Sequence, residues 1–287
     1  MDYVVAAPGS CGEFIQGYAG DSSFMVTCPV DRYAVAGSRI GAPRSALPEK
    51  SSRARTLTLS YLGMDGLEVD VSLASDIPVG KGMASSTADI SAVCQATALA
   101  CGRVLSGEDI ARIAISIEPS DATFYPGIVA FDYRRGILLK EYGECPSMQI
   151  LVYDCGGEVD TMAFNRQENL VQLQKQNEEK IQTSVDLFRR GMETGDIDQI
   201  GKAAAISALA NQSILYKEAL PLFYEQGMAA GGRGVVAAHS GTVLGLLLAK
   251  EDDAEAVRRE LDARMAGAVR FLDLVNVTNA GMKILKR

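Results

Sequence analysis

The 287-residue chain sets 28 Lys and Arg against 36 Asp and Glu, a formal net charge of −8, and 47% of its residues are hydrophobic. That length fits one large domain or two lobes without a disulfide or metal staple, and the acidic balance argues against a nucleic-acid binder, which needs clustered Lys and Arg. A single histidine excludes zinc or iron sites built on several imidazoles, and no two of the six cysteines stand at CxxC spacing.

In chain order, residues 3–7, 24–27, 33–39, 56–61 and 67–73 read as short strands, β-branched and aromatic, set off by Gly/Pro/Ser clusters. Residues 41–53 are the most loop-like stretch and are expected to form a mobile surface excursion. The period then changes. Residues 85–101 predict a mostly buried helix ended by Gly102, and 106–117 a second helix with Ser106 as N-cap and Asp109 three residues on. Strands return at 127–133, 137–142 and 148–153. A long helix, polar on one face, is expected over 165–192, followed by helices over 197–211 and 219–230. Strands at 235–239 and 243–249, a helix at 254–265 and a strand at 269–277 complete the reading. The apolar run 235–249 is broken by His239, Ser240, Gly241 and Thr242 and is too short for a membrane helix. The N-terminus lacks the basic and long apolar stretches of a targeting signal, and the cysteine usage suits a reducing cytoplasm. A strand-rich half gives way to a helix-rich half near 150–160.

Four segments carry candidate chemistry. In DIPVGKGMASSTAD, residues 76–89, Pro78, Gly80 and Gly82 precede Ala84, Ser85, Ser86 and the buried helix. Small side chains there let an anion reach backbone N–H groups at the positive end of the helix dipole. The spacing is neither a Walker A loop nor a GxGxxG fingerprint. A tight turn and a helix capped by Ser85 explain the same residues equally well. SIEPSDA, residues 116–122, places Glu118 and Asp121 three apart in a Pro-containing turn. Such a pair suits Mg²⁺ binding and the orientation or deprotonation of an acceptor hydroxyl; a solvated loop with Asp121 capping a turn is the plainer alternative. AAHSGTVLGL, residues 237–246, is a small-residue turn that admits a ligand or a second backbone, or is simply a tight hairpin. His239 within it reads as a hydrogen-bonded core residue rather than a catalyst. APGSCGEFIQG, residues 7–17, reads as a turn in which Glu13 needs a cationic or donor partner.

Together and in this order, the four segments resemble the GHMP kinase superfamily (galactokinase, homoserine kinase, mevalonate kinase and relatives). The family's middle motif, P-x-x-x-G-x-[GA]-S-S-[AT], is met by Pro78, Gly82, Ala84, Ser85, Ser86 and Thr87; its first motif matches 8–17 and its third 240–245. SCGEFIQG, CPVDRY, IPVGKGMASSTADI, SIEPSDAT and AHSGTVLGL are most similar to the branch that phosphorylates free L-threonine for assembly of the cobalamin nucleotide loop. The likeness covers the N-terminal half and reaches the third motif; the helices between 160 and 230 carry little of it.

The resemblance implies a two-lobed α+β fold with ATP between the lobes. Residues 1–155 would form an α/β lobe like domain 2 of ribosomal protein S5, and 156–287 an α+β lobe. It implies that Pro78, Gly80, Lys81, Gly82, Met83, Ala84, Ser85 and Ser86 hold the nucleotide. Ser86 and Glu118 would hold Mg²⁺, Lys81 would neutralise charge on the phosphates, and Asp121 sits where some members carry a catalytic Asp. Glu13 sits where homoserine kinase has an Asn that touches its amino-acid substrate, and a carboxylate there suits an ammonium. Glu13 and Asp31, with Ser240, Gly241 and Thr242, are therefore the expected substrate contacts. Two features depart from the family: Met83-Ala84 replaces the commoner Leu-Gly, and the acidic loop is shorter than in mevalonate kinase. The implied activity is ATP- and Mg²⁺-dependent phosphorylation of the L-threonine hydroxyl. Homoserine or another small hydroxylated metabolite is the alternative acceptor, and a non-catalytic nucleotide sensor the alternative role. No nucleic-acid or membrane partner is implied, and the oligomeric state is left open.

Overall fold

A computed structural model describes residues 1–156 and 169–286. Its frame is an antiparallel hairpin of two long strands, β1 (Tyr3–Ala19) and β2 (Ser22–Ile40). Three short strands were expected over this span. The glycines and prolines between them mark bulges, not breaks: the β1–β2 register shifts between Pro8 and Gly9, between Ser10 and Glu13, and between Glu13 and Ile15. The extra residues bend the hairpin and pairing resumes beyond them.

The chain continues through α1 (Glu49–Tyr61), β3 (Val69–Ser75), α2 (Ser85–Ala100), α3 (Gly107–Ile115), β4 (Ile128–Asp132), β5 (Ile137–Gly143) and β6 (Met148–Asp154). Beyond the undescribed stretch come α4 (Leu170–Gln176), α5 (Glu178–Thr194), α6 (Ile197–Ala210) and α7 (Ala219–Ala229). Then follow β7 (Gly234–Ala237), β8 (Val243–Ala249), α8 (Ala254–Met265), β9 (Arg270–Asn276) and β10 (Lys283–Lys286). The expected helix over 165–192 is thus two helices, and its first residues, 165–168, lie outside the described residues. The strand expected at 56–61 is instead the second half of α1. Its alternating Thr-Leu-Thr-Leu imitates a strand, but Ser51, Ala54, Thr58 and Leu59 are the buried face of a helix packed on α2. The same helix shortens the expected loop, which ends at Pro48.

The strands form one sheet in the order β5-β4-β2-β1-β7-β8-β6-β9, with β3 on β2 and β10 on β1. The expected α+β class is borne out. Strand β6 lies before residue 155 yet pairs with β8 and β9, and β10 returns to β1. The two groups of strands join at the pair Glu13–Ala237, between β1 and β7. Gly12 makes that approach possible: at φ +57°, a Cβ would fall 2.4 Å from the Ala237 carbonyl carbon.

Helix α2 is the hub of the first half, packed by β1, β2, β3, α1 and α3. All its residues except Ser85, Ser86 and Asp89 are buried. Helix α3 starts as the sequence predicts, with Ser106 and Asp109 forming a reciprocal capping box. No helix among the described residues is long and apolar enough to cross a membrane.

Candidate active site

The segment between β3 and α2 takes three left-handed conformations: Gly80 (φ +73°), Gly82 (φ +83°) and Ala84 (φ +55°). Ala84 occupies the cap position, so Ser85, expected there, instead opens the first turn, and no side chain caps the helix. A left-handed alanine costs roughly 1–2 kcal/mol, and the surrounding backbone holds it. The Met83 carbonyl accepts from the Ser10 N–H (2.9 Å) and the Gly82 carbonyl from Gly12 (3.2 Å). The Lys81 carbonyl accepts from Thr242 (2.9 Å) and Val243 (3.1 Å). The loop's carbonyls are therefore stitched to β1 and to the β7–β8 turn. The N–H groups of Gly82, Met83 and Ala84 donate to nothing among the described residues. Open N–H groups ahead of an uncapped helix make an anion site.

The stitching leaves no room for a side chain at Gly82. A Cβ at Gly82 would meet the Ala238 Cβ at 2.3 Å and the Gly241 Cα at 2.9 Å. Gly82→Val is therefore expected to lower the melting temperature by about 2–8 °C, the effect of overpacking by roughly 1–3 kcal/mol in a chain of this size. Scanning fluorimetry without nucleotide would show it. An unchanged melting temperature would mean that the two loops are not locked together.

A cavity of about 300 Å³ opens before the loop, lined by Val79, Gly80, Gly82, Met83, Ala84, Ser85, Ser86 and Thr87. Glu13, Lys50, Glu118, Pro119, Asp121 and Ser240 complete its wall. Pro78 is exposed outside it. Glu118, on the turn after α3, is 8% exposed. Its Oε1 accepts from the Ser86 hydroxyl and its Oε2 meets the Lys50 ammonium at 2.6 Å. The structure thus brings together the two side chains expected to hold Mg²⁺. No group of three or more His, Cys, Asp or Glu among the described residues could hold a metal by itself. A hydroxyl and one carboxylate beside an anion site fit Mg²⁺, which takes few protein ligands and completes its shell with phosphate oxygens and water. Asp121 is anchored by its N–H to the Thr87 hydroxyl (3.2 Å). Burial first, then the Glu13 and Glu118 carboxylates, push its carboxyl up to about 7.

Lys81 does not line this cavity. Its ammonium pairs at 3.0 Å with Asp154, a nearly buried carboxylate at the end of β6 that Arg270 also reaches. The cation that fronts the loop is Lys50, from the first turn of α1, where the sequence suggests only an exposed loop. Asp31 is not brought to the cavity either. Its two oxygens accept from the Asn276 N–H (2.8 Å) and side-chain amide (2.7 Å), tying the bulge of β2 to β9. Asp31→Asn is expected to lower stability by about 1 kcal/mol and to leave every KM within about twofold. A selective rise in one substrate's KM would return Asp31 to the site.

Glu13 is 6% exposed, and its Oε2 accepts from both the N–H (2.9 Å) and the ring Nδ1 (2.8 Å) of His239. The donor partner that Glu13 requires is therefore the single histidine, which is a buried, hydrogen-bonded residue as expected. Ser240, beside it, lines the same cavity, whereas Gly241 and Thr242 line a second one of about 560 Å³ with Cys155, Tyr216 and Lys217. Lys217 is 6% exposed and donates to the Gly241 carbonyl at 2.6 Å. Burial holds its ammonium below the ordinary lysine value. Nothing in the sequence around Lys217 marks it; only the fold carries it to the third motif.

Two family models match the chain: GHMP kinases N terminal domain over residues 51–127 and GHMP kinases C terminal over 185–267. An L-threonine kinase of Salmonella typhimurium is 32% identical over 252 residues, covering 85% of this chain and 82% of that protein. An L-threonine kinase of Citrobacter freundii is 30% identical over 85% of this chain and 86% of its own length. The crystal structure of homoserine kinase from Cytophaga hutchinsonii matches with a TM-score of 0.68 at 17% identity, over 99% of this chain and 98% of that one.

Proposed function

The chain belongs to the GHMP kinase family, and from that premise we propose that it transfers the γ-phosphoryl group of ATP to the side-chain hydroxyl of free L-threonine. The observation that carries this reading is the cavity in which Ser86, at the start of α2, and Glu118, on the turn after α3, face Asp121 and Glu13. The two relatives that carry the name L-threonine kinase support the choice of acceptor. The products are ADP and O-phospho-L-threonine, which would feed cobalamin nucleotide-loop assembly.

Each side chain has a role that follows from its chemistry. The N–H groups of Gly82, Met83 and Ala84 receive phosphate oxygens at the helix terminus. Ser86 and Glu118 would hold Mg²⁺, which when bound supplies neutralisation of the charge gathering on the phosphates. Lys50 adds a positive charge on the same side. The acceptor oxygen forms its bond to the γ-phosphorus as the bond to the ADP oxygen breaks, and the hydroxyl proton passes to Asp121. Glu13 offers an acceptor for the threonine ammonium. Lys217 braces the 240–242 turn from behind through the Gly241 carbonyl. Holding the amine places the hydroxyl in line, and placement is the larger part of catalysis in phosphoryl transfer.

A coupled ADP-release assay with Mg²⁺ and a panel of L-threonine, L-homoserine, L-serine and the amine-free analogue 3-hydroxybutyrate tests the proposal. Threonine is expected to show the highest kcat/KM by tenfold or more. A preference for homoserine would change the acceptor. Nucleotide binding without turnover on any alcohol would leave the sensor reading.

A further inference from the structure

Glu13, His239 and Ser207 form one hydrogen-bonded line across the junction of the two strand groups. Among the described residues, both hydrogen bonds of the Glu13 carboxylate run to Oε2, and both come from His239. On the far side of the ring, Nε2 lies 3.3 Å from the Ser207 hydroxyl on α6, which itself accepts from the Gln16 N–H at 3.0 Å. The arrangement assigns one ring proton. Around Nδ1 stand a carboxylate oxygen and, at 3.1 Å, the Ala237 carbonyl, both acceptors only. Nδ1 therefore carries hydrogen, and Nε2 faces the Ser207 hydroxyl, which also lies 3.5 Å from the Gln16 carbonyl.

A serine, a histidine and a carboxylate in this order are the parts of a hydrolase triad. Here the serine cannot attack anything: Ser207 is fully buried, with its oxygen already receiving the Gln16 N–H. The opposite end of the line is the one that reaches a cavity, through Glu13. The direction of the line is therefore reversed relative to a triad, with the carboxylate as the working end and the serine as its anchor.

We infer that His239 is a positioning residue that fixes Glu13 to read the amine of the acceptor, with Ser207 fixing the ring. The inference rests on the amino-acid acceptor proposed above. Two N–H groups of one residue occupy a single oxygen, Oε2, and no bond is made by Oε1 among the described residues. A carboxylate tethered at one oxygen by two donors loses its freedom to turn and presents the other oxygen in one place. Because Glu13 sits in β1 and His239 just after β7, the tether also sets the amine subsite at the seam between the strand groups. An acceptor without an amine gains nothing from it, so the device discriminates between acceptors and not between nucleotides.

Steady-state kinetics with L-threonine, ATP and 3-hydroxybutyrate test this. His239→Leu is expected to raise KM for threonine tenfold or more, leave KM for ATP within twofold, and narrow the preference for threonine over 3-hydroxybutyrate. His239→Asn, which keeps an N–H donor near the Nδ1 position, should recover most of that loss. Added to Glu13→Gln, His239→Leu should cost no more than a further twofold, because both changes act through one carboxylate. If His239→Leu does not fold, His239→Gln replaces it: its amide reaches toward Ser207 and withdraws the donor from Glu13, so the same KM split is expected. Equal effects on threonine and ATP, no recovery with Asn, or full additivity with Glu13→Gln would overturn the inference. Failure of the wild-type protein to phosphorylate threonine would instead overturn the proposed acceptor.

Discussion

Glu118→Gln is expected to lower kcat by about a thousandfold or more at saturating threonine, while circular dichroism still shows the wild-type fold. The substitution preserves shape and removes one negative charge. An amide oxygen can still accept from the Ser86 hydroxyl, but the amide nitrogen would then face the Lys50 ammonium, donor against donor, where a carboxylate now meets it at 2.6 Å. A thousandfold loss corresponds to about 4 kcal/mol of transition-state stabilisation, the scale expected when one fixed charge is removed from a phosphoryl-transfer site. Raising Mg²⁺ should recover little, because the lost ligand belongs to the protein. A Mg²⁺ titration of both proteins checks this. Wild-type kcat in the variant at ordinary Mg²⁺ would take Glu118 out of the metal site.

Much of this site is legible in the sequence because its signals are local. The run of Gly82, Ala84, Ser85 and Ser86 into a buried helix depends on residues a few positions apart, and the structure keeps it as a loop and helix start. The same holds for the Ser106–Asp109 capping box and for the turn carrying Glu118 and Asp121. Misreadings arise where the deciding contact is distant. Residues 56–61 alternate as a strand does, and only packing on α2 shows that 54, 58 and 59 share a helical face. The glycines at 9 and 12 look like chain breaks because their purpose is the approach of other segments, Met83 to Gly9 and Ala237 to Gly12.

Charge is the least local property of all. Lys81 sits inside the glycine-rich loop by sequence and yet answers Asp154, 73 positions away, while Lys50, outside any motif, answers Glu118. Asp31 shares its segment with residues of the motif-bearing strands, but a bulge turns it to Asn276 on β9. By sequence the first motif's Glu13 is a carboxylate in need of a donor, and its donor lies 226 positions on. Sequence order brings the Gly82–Ser86 loop and the Glu118 turn into view, and only the pairing of β1 with β7 brings Glu13 to His239.

Asp121→Asn is expected to lower kcat by about 10²–10⁴-fold, the usual contribution of a positioned base, and to abolish the acid limb of the wild-type pH profile. In the wild type Asp121 is pushed up to about 7 by its burial and by the neighbouring Glu13 and Glu118 carboxylates. The sign follows from the role: below that value Asp121 holds a proton and cannot take one from the acceptor hydroxyl. The rate parameter kcat/KM for ATP, which reports the free enzyme, should therefore fall toward tenfold per pH unit as pH drops below about 7. The neighbours supply a second check. Glu13→Gln removes one of the like charges that raise Asp121, so the acid limb should move to lower pH even as threonine binding weakens. A structural role for Asp121 would give neither result: the Asn variant would lose activity evenly across pH, and Glu13→Gln would leave the limb where it stands. An acid limb that survives in Asp121→Asn would assign the titrating group elsewhere and leave the acceptor proton to pass directly to the phosphoryl oxygens.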